Sequence, residues 1–541
     1  MNKLRKIRIS IAAFFWVILT LLFLDFTGTI HNYFGWMAKI QFTPLYLHLQ
    51  SHFETGAEVI SLIVVMLALI LLTLLLGRIY CSVICPLGIC QDMASKVAAI
   101  RKKNRFTYSP AKNWLRYIVL GLFIVAMNVA GAAVIVVLLE PYSAFGRMIS
   151  TFLAPIYLWC NNLLANIAEQ VDSYTFYEVD IWLKGIEIFA VATFTFIVIS
   201  VLAWRNGRTY CNTICPVGTV FGFLSRFSLY KHQIDKSKCN NCGLCAMNCK
   251  ASCINAEAKT IDYSRCVSCF NCIDKCDKNA ILYKRQQMGT PTVSNNKNEN
   301  NNIDNNTVNN NIANNNIAQE QVDSALRNSL TVAGALLATS VVKAQTSAVD
   351  GGLAFIEDKK IPKRQTRIVP PGAASINNFA KRCTGCQLCI SVCVNNVLRP
   401  STELANFMQP EMSFERGYCR PECIKCSGVC PTGAINKITV EDKSSIQIGH
   451  AVWIEKNCIV LADEVDCDNC ARHCPVGAID MVAIKPDSAD AQNSNSQNTK
   501  SQKFPVVDTE RCIGCGACEN LCPARPFSAI YVEGHIMHRR V

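Results

Sequence analysis

Cys239-Asn240-Asn241-Cys242-Gly243-Leu244-Cys245-Ala246-Met247-Asn248-Cys249 sets four thiols at gaps of two, two and three residues. The same spacing returns at Cys266-Cys269-Cys272-Cys276, Cys383-Cys386-Cys389-Cys393 and Cys512-Cys515-Cys518-Cys522. Two further runs, Cys419-Cys423-Cys426-Cys430 and Cys458-Cys467-Cys470-Cys474, lengthen only the first gap. Together they take 24 of the chain's 31 cysteines. Thiolates so spaced hold three corners of an iron–sulfur cube, and the fourth cysteine reaches the neighbouring cube. Six runs predict three α+β ferredoxin-like modules of the bacterial 2x[4Fe–4S] type, about six [4Fe–4S] clusters, and electron transfer. Two other chemistries use cysteine this heavily. Zinc usually takes two C-x2-C halves across a loop. Disulfides belong to small secreted chains, and this chain has 541 residues.

The crossover rule predicts the ligand sets. Cys239, Cys242 and Cys245 take Cys276, while Cys266, Cys269 and Cys272 take Cys249. Cys383, Cys386 and Cys389 take Cys430, while Cys419, Cys423 and Cys426 take Cys393. Cys458, Cys467 and Cys470 take Cys522, while Cys512, Cys515 and Cys518 take Cys474. In the last pair 37 residues separate Cys474 from Cys512, so the partners are furthest apart there.

Half of the residues are hydrophobic and the net charge is +13. That charge suggests nucleic acid less than membrane, because much of it flanks apolar segments. Four runs approach the roughly 20 residues that span a bilayer: Ile9–Leu24, Val59–Leu76, Tyr117–Leu139 and Ile186–Trp204. They predict a four-helix transmembrane domain over residues 1–230. Lys3, Arg5, Lys6 and Arg8 precede the first, and Lys96, Arg101, Lys102, Lys103 and Arg105 follow the second. Positive loops stay inside, so the N-terminus and the first ferredoxin module, residues 231–285, are expected in the cytoplasm. The loops after the first and third spans are expected outside. The stretch Phe145–Ile167, interrupted by Arg147, Pro155, Asn161 and Asn162, reads as an interfacial helix.

Gly77-Arg78-Ile79-Tyr80-Cys81-Ser82-Val83-Ile84-Cys85-Pro86-Leu87-Gly88 is echoed by Gly207-Arg208-Thr209-Tyr210-Cys211-Asn212-Thr213-Ile214-Cys215-Pro216-Val217-Gly218. Both copies follow inward-going spans, so Cys81, Cys85, Cys211 and Cys215 are expected to converge at one membrane face. A duplicated C-x3-C-P suits a further redox or metal site, or else a helix-end motif with inert thiols. Cys90, Cys160 and Cys253 have no evident partner and read as packing.

Spans, C-x3-C-P motifs and a trailing ferredoxin module together resemble the NapH-type membrane quinol dehydrogenase subunits over residues 1–285. NosR-like and CcoG-like polyferredoxins share parts of the pattern. Lys250 and Asp277 stand where a proline commonly follows the fourth cysteine. The resemblance implies a bacterial cytoplasmic (inner) membrane protein that exchanges electrons with the quinone pool. His48, His52, Glu54 and Glu58, just outside the second span, are candidates for proton transfer to and from a quinol. The CcoG-like alternative is metal-ion reduction during assembly of a respiratory complex.

Residues 295–316 include 14 asparagines, a tract too polar to bury a core. Residues 286–361 thus read as linker, ending in a signal-like apolar stretch, Thr331–Val342, preceded by Arg327 alone where a twin-arginine signal has two. From about residue 362 the chain resembles the NapG/MauM-type polyferredoxins, in Pro370-Pro371-Gly372-Ala373, Phe379-Ala380-Lys381-Arg382-Cys383 and the cysteine runs. That resemblance implies two dicluster modules over 362–541, outside the membrane, with a redox protein as partner.

Overall fold

A long apolar run in lipid folds as helix because only then is every backbone N–H and C=O paired within the segment. In a computed structural model, described over residues 3–50, 56–100, 106–129, 133–173, 176–181, 184–285, 357–483 and 503–541, four helices are long and apolar enough to cross a membrane. They are Lys3–Leu24, Glu58–Leu76, Pro141–Glu169 and Ile186–Asn206. Their outer faces expose large apolar side chains, among them Phe14, Val17, Val64, Leu67, Phe194 and Ile197. The first helix has 22 residues, about 33 Å at 1.5 Å per residue. Asp25 ends it by accepting the backbone N–H groups of Thr27, Gly28, Ile30 and His31.

The third long helix is not the expected one. The apolar run 117–139 is split between helices Asn113–Asn128 and Ala133–Leu139, and neither reaches spanning length. Helix Pro141–Glu169, read from sequence as interfacial, has that length instead, passing through one π turn at Ile149–Leu153. Three of its polar side chains find acceptors inside the protein. Arg147 donates to Val137 O (2.7 Å). Asn161 and Asn162 donate to Tyr177 O and Val179 O. Pro155, which has no N–H to donate, comes just after the π turn, where the regular hydrogen-bond ladder is already interrupted.

Residues 29–49, an outer loop by sequence, turn back into the bundle as three short helices. Phe42 packs edge-on against the fully buried Phe221 (4.8 Å), and its N–H donates to the Tyr80 hydroxyl, which donates to Gln41 Oε1. The second repeat matches this, since the Tyr210 hydroxyl donates to Leu139 O where helix Pro141–Met148 begins.

Residues 1–286 and 361–541 pack as one compact unit. The first ferredoxin module and the C-terminal region meet opposite ends of the same helices. At one end Arg5 pairs with Asp274, Tyr283 donates to Leu76 O (2.8 Å), and Arg208 N–H donates to Lys250 O (2.8 Å). At the other end Lys425 donates to Thr27 O (3.1 Å), Arg382 to Gln50 O (2.7 Å), and Ser150 to Gln387 Oε1 (3.0 Å). There the core runs on without a break, from Phe23 and Phe145 to Phe379, Leu388 and Phe414. Most of the linker, with its asparagine tract and signal-like stretch, lies outside the described residues.

The modules carry less sheet than a βαββαβ unit implies. Five two-stranded antiparallel pairs are present among the described residues. Tyr230–Ile234 with Ile281–Arg285, and Ile254–Asn255 with Thr260–Ile261, frame the first module. The longest pair, Ile446–Trp453 with Ile530–Arg540, closes the last. On it His450 Nδ1 lies 2.9 Å from His535 Nε2. Burial and the neighbouring His535 push His538 down to about 4, and burial also lowers His535. Below about pH 6.5 the unfolded chain therefore takes up protons first. Stability from this pair of strands is full above that pH and falls by about 2 kcal/mol as pH drops towards 4. Amide exchange at Ile530–Gly534 across pH 7 to 4.5 should show the opening, and His538→Phe should flatten it.

Candidate redox centres

Each cysteine run places its third thiol on a one-turn helix, such as Leu244–Met247, Leu388–Ser391 and Ala517–Leu521. In the four strictly spaced runs, the residues on both sides of the second cysteine have positive φ: Asn241 and Gly243, Ser268 and Phe270, Gly385 and Gln387, Gly514 and Gly516. This alternation turns successive N–H groups towards one concave side, a setting for an anion. Neither lengthened run has a positive φ beside its middle thiols Cys423 or Cys467, so its thiols are brought round by the longer first gap.

The structure brings together the sets that the crossover rule predicts. One cavity is lined by Cys239, Cys242, Cys245 and Cys276. A second has Cys249, Cys266, Cys269 and Cys272. A third has Cys393, Cys419, Cys423 and Cys426, and a fourth Cys458, Cys467, Cys470 and Cys522. Cys383, Cys386, Cys389 and Cys430 lie within electrostatic range of one another, and Cys474 lies in range of Cys512 and Cys515, which are both in range of Cys518. The distant last pair thus crosses over like the others.

These residues fit iron–sulfur clusters. Backbone N–H groups point at the crossing sulfurs: Ala280 at Cys276 (3.3 Å), Ala478 at Cys474 (3.2 Å), Ile435 at Cys430 (3.5 Å) and Ala529 at Cys522 (3.3 Å). Such bonds favour a charged sulfur and help set a cluster's potential. The fully buried Arg147, in electrostatic range of Cys386, keeps Nε and one terminal nitrogen without a partner. An anionic cluster beside it would supply one.

The cysteine sets stand in series. Cys389 is in range of Cys426, linking the third set to the fourth. Cys419 N–H donates to Cys515 O (2.9 Å), linking the fourth to the sixth. Cys518 is in range of Cys470 in the fifth.

The four C-x3-C-P thiols converge as expected, each 3–5% exposed. The two repeats clasp one another through their arginines. Arg78 donates to Cys211 O (2.7 Å), and Arg208 to Cys81 O (2.5 Å). The crowding explains the glycine that ends each motif: a Cβ on Gly88 would lie 2.3 Å from Cys81 O and 2.9 Å from the Arg208 guanidinium, and one on Gly218 2.2 Å from Cys211 O and 2.5 Å from that of Arg78. Asp92 binds Arg8 (3.1 Å), Arg208 (2.9 Å) and Lys250 (3.4 Å), tying the motifs to the first helix and the first ferredoxin module.

Of the unassigned cysteines, Cys90 accepts from Trp16 (3.2 Å) and Cys160 is exposed. Cys253 lines the second cluster cavity, 3.5 Å from Cys249. The sequence carried a signal for it. Cys253 follows Cys249 by four residues, as Ala280 follows Cys276 and Ala478 follows Cys474, each the small residue whose N–H meets the crossing sulfur.

A slot of about 270 Å³ opens where the helices meet the C-terminal region. Phe23, Leu24, Phe26 and Pro155 contribute to its apolar wall, Glu178, Asp180 and Lys184 are its charged groups, and Cys393 lies in its lining. Lys184 donates to Ser150 Oγ (2.7 Å) and to Gln387. Burial and the nearby Arg147 push its ammonium down to about 7. Of the sequence candidates for proton transfer, His48 is buried against Gly433, Glu58 is exposed, and neither lines the slot. His52 and Glu54 lie outside the described residues.

Residues 59–106 and 188–234, each carrying one C-x3-C-P motif, match the profile of a 4Fe-4S binding domain, and residues 465–525 match that of a 4Fe-4S dicluster domain. An uncharacterized protein of Methanocaldococcus jannaschii is 32% identical over 104 residues, 19% of this chain and 42% of that protein, so the chain spans about two fifths of that relative. The ferredoxin-type protein NapG of Escherichia coli is 29% identical over 207 residues, 36% of this chain and 79% of NapG. The methylamine utilization ferredoxin-type protein MauM of Methylobacillus flagellatus is 28% identical over 175 residues, 32% of this chain and 70% of MauM. No solved structure matches. Cysteine sets and profiles together make the chain a ferredoxin-type iron–sulfur electron-transfer protein.

Proposed function

We propose that the chain is an electron conduit through the bacterial cytoplasmic membrane, built as a NapH-like half joined to a NapG-like half and drawing on the quinol pool. It carries six [4Fe–4S] clusters on the crossover ligand sets. The observation that carries this reading is the placement of two iron–sulfur regions at opposite ends of one apolar helix bundle. The first module lies at the basic, cytoplasmic end, and the C-terminal modules lie outside, where a soluble redox protein can collect or deliver electrons.

Quinol oxidation releases two electrons and two protons. The slot beside Cys393 combines an apolar wall with groups that take protons. Bound there, quinol gives its electrons singly to the fourth and third clusters and its protons to Lys184 and the neighbouring acids. The expected result is bleaching of the broad visible absorption when menaquinol or ubiquinol is added to anaerobic membranes. No bleaching with either quinol overturns the quinol reading. A base must be neutral to act, so the quinol-dependent rate rises as pH passes through about 7. Lys184→Met should lower it by about a hundredfold, while dithionite still reduces every cluster. A topology reporter fused after Val541 tests the sidedness, and a cytoplasmic signal would refute the crossing.

A further inference from the structure

Cys386 is pressed against the third long helix, Pro141–Glu169. A Cβ on Gly146 of that helix would lie 2.5 Å from Cys386 O, so only glycine lets the two approach this closely. A Cβ on Gly385, beside Cys386, would lie 3.2 Å from the methyl carbons of Val137. On the other side of Cys386, Gln387 Oε1 accepts from Ser150 of the same helix (3.0 Å). This contact carries two large polar side chains of the helix to the set Cys383, Cys386, Cys389 and Cys430. Tyr142 and Arg147 are each 1% exposed. Tyr142 lies in range of Cys386 and Cys430, which come from different runs, and Arg147 in range of Cys386.

Both side chains have donors to spare. The Tyr142 hydroxyl has no partner among the described residues, and neither have Arg147 Nε and one of its terminal nitrogens. The other terminal nitrogen donates to Val137 O (2.7 Å). The nearby carboxylate is turned elsewhere: Glu140 accepts from Ser143 N–H as the N-cap of helix Pro141–Met148. Phe23 lies against the Tyr142 ring (5.5 Å) and the Phe145 ring (6.0 Å) and offers no acceptor. A buried donor without an acceptor bears its full desolvation cost. The acceptors that would relieve it are sulfurs. From its own region the set has Ile435 N–H on Cys430 (3.5 Å) and Arg367 in range of Cys383. The helix adds to these from the opposite side.

We infer that Tyr142 and Arg147 set the potential of the third cluster: from helix Pro141–Glu169 they donate hydrogen bonds to the sulfurs at Cys383, Cys386, Cys389 and Cys430, and so make that station easier to reduce. Reduction adds one negative charge and makes or breaks no covalent bond. A fixed guanidinium and a hydroxyl donor favour the more negative form. The ligands belong to the C-terminal region and these donors to the helix bundle. The station therefore holds an electron best when the two are seated on one another. The inference rests on the cluster proposed above for these four cysteines and is independent of the quinol.

The test is a redox titration of the full chain, reconstituted anaerobically and followed by electron paramagnetic resonance. Tyr142→Phe keeps the ring and removes only the hydroxyl. At a fixed potential it should lower the reduced-to-oxidised ratio of one cluster about tenfold, about 59 mV for one electron. Arg147→Met should lower the same ratio further, and Arg147→Lys should return part of it, because the charge is kept and the planar fork is lost. The shifted signal should be one that Cys389→Ala abolishes, and the other clusters should titrate as in wild type. A potential unmoved in either variant strikes that residue from the role. A shift shared by all clusters would mark a merely structural effect and overturn the proposal. Unchanged iron in Cys389→Ala would remove the cluster from this set, and the inference with it. The expected shifts together with absent quinol bleaching would sink the quinol reading and keep this one.

Discussion

Asp92→Asn is expected to destabilise the folded chain by about 3–5 kcal/mol, the cost of breaking a buried ion network from one side. Asparagine keeps the shape and removes only the charge. Burial by itself would raise the Asp92 carboxyl, but Arg208, Lys250 and Arg8 outweigh it and hold it far below the usual carboxylate range. The unfolded carboxyl titrates near 4. The contribution is therefore present throughout neutral pH and fades only in acid. Three cations from the first helix, the second C-x3-C-P repeat and the first ferredoxin module meet on this one side chain. Neutralising it leaves them facing one another, and the module's hold on the bundle weakens. Thermal unfolding in nanodiscs should show the loss. Lys250→Met added to Asp92→Asn should return part of it, because one repelling cation is gone, and a double-mutant cycle isolates that coupling. A melting temperature within a degree of wild type would show that the network is not needed.

The cysteine sets were legible because their spacing is local. A gap of two residues and a one-turn helix fix three thiols wherever the run folds, and the fourth follows from module symmetry. Cys474 and Cys522 cross over despite the long insertion because the strands Ile479–Ala483 and Lys503–Val507 pair across it. Properties set by distant partners were hidden. Arg147, Asn161 and Asn162 made Phe145–Ile167 look too polar for a long apolar helix, because their partners Val137, Tyr177 and Val179 cannot be inferred from hydropathy. The return of residues 29–49 into the bundle depends on Tyr80 and Phe221. The repeat G-R-x-Y-C-x3-C-P-x-G was visible as a duplication, but its meaning lies in the exchange of arginines between copies. Lys184 gave no signal, since its burial is created by Gln387 from the C-terminal region.

Gly516→Ala should be the most damaging single-methyl substitution in the C-terminal region. Gly516 has φ +80°, where an L side chain costs roughly 1–2 kcal/mol. A Cβ there would lie 2.2–2.5 Å from three ring atoms of Phe414. The ring cannot swing aside: Phe414 is fully buried, the Arg364 guanidinium lies over it at 5.7 Å, and Asn520 donates to its carbonyl (2.7 Å). Overpacking of this kind adds about 1–3 kcal/mol, for a combined cost of about 3 kcal/mol. The damage lands on the ligands. Gly516 is the N-cap of helix Ala517–Leu521, which carries Cys518, and it follows Cys515 directly. Iron content should therefore fall by one cluster, with the sixth cluster lost first and the fifth cut off from the fourth. Phe414→Leu removes the clash and leaves the φ penalty, so the double variant should recover the overpacking share and no more. Full recovery would mean the backbone conformation at 516 is unstrained. No recovery would put the whole cost there, and the ring contact would have no part in holding the sixth cluster's ligands.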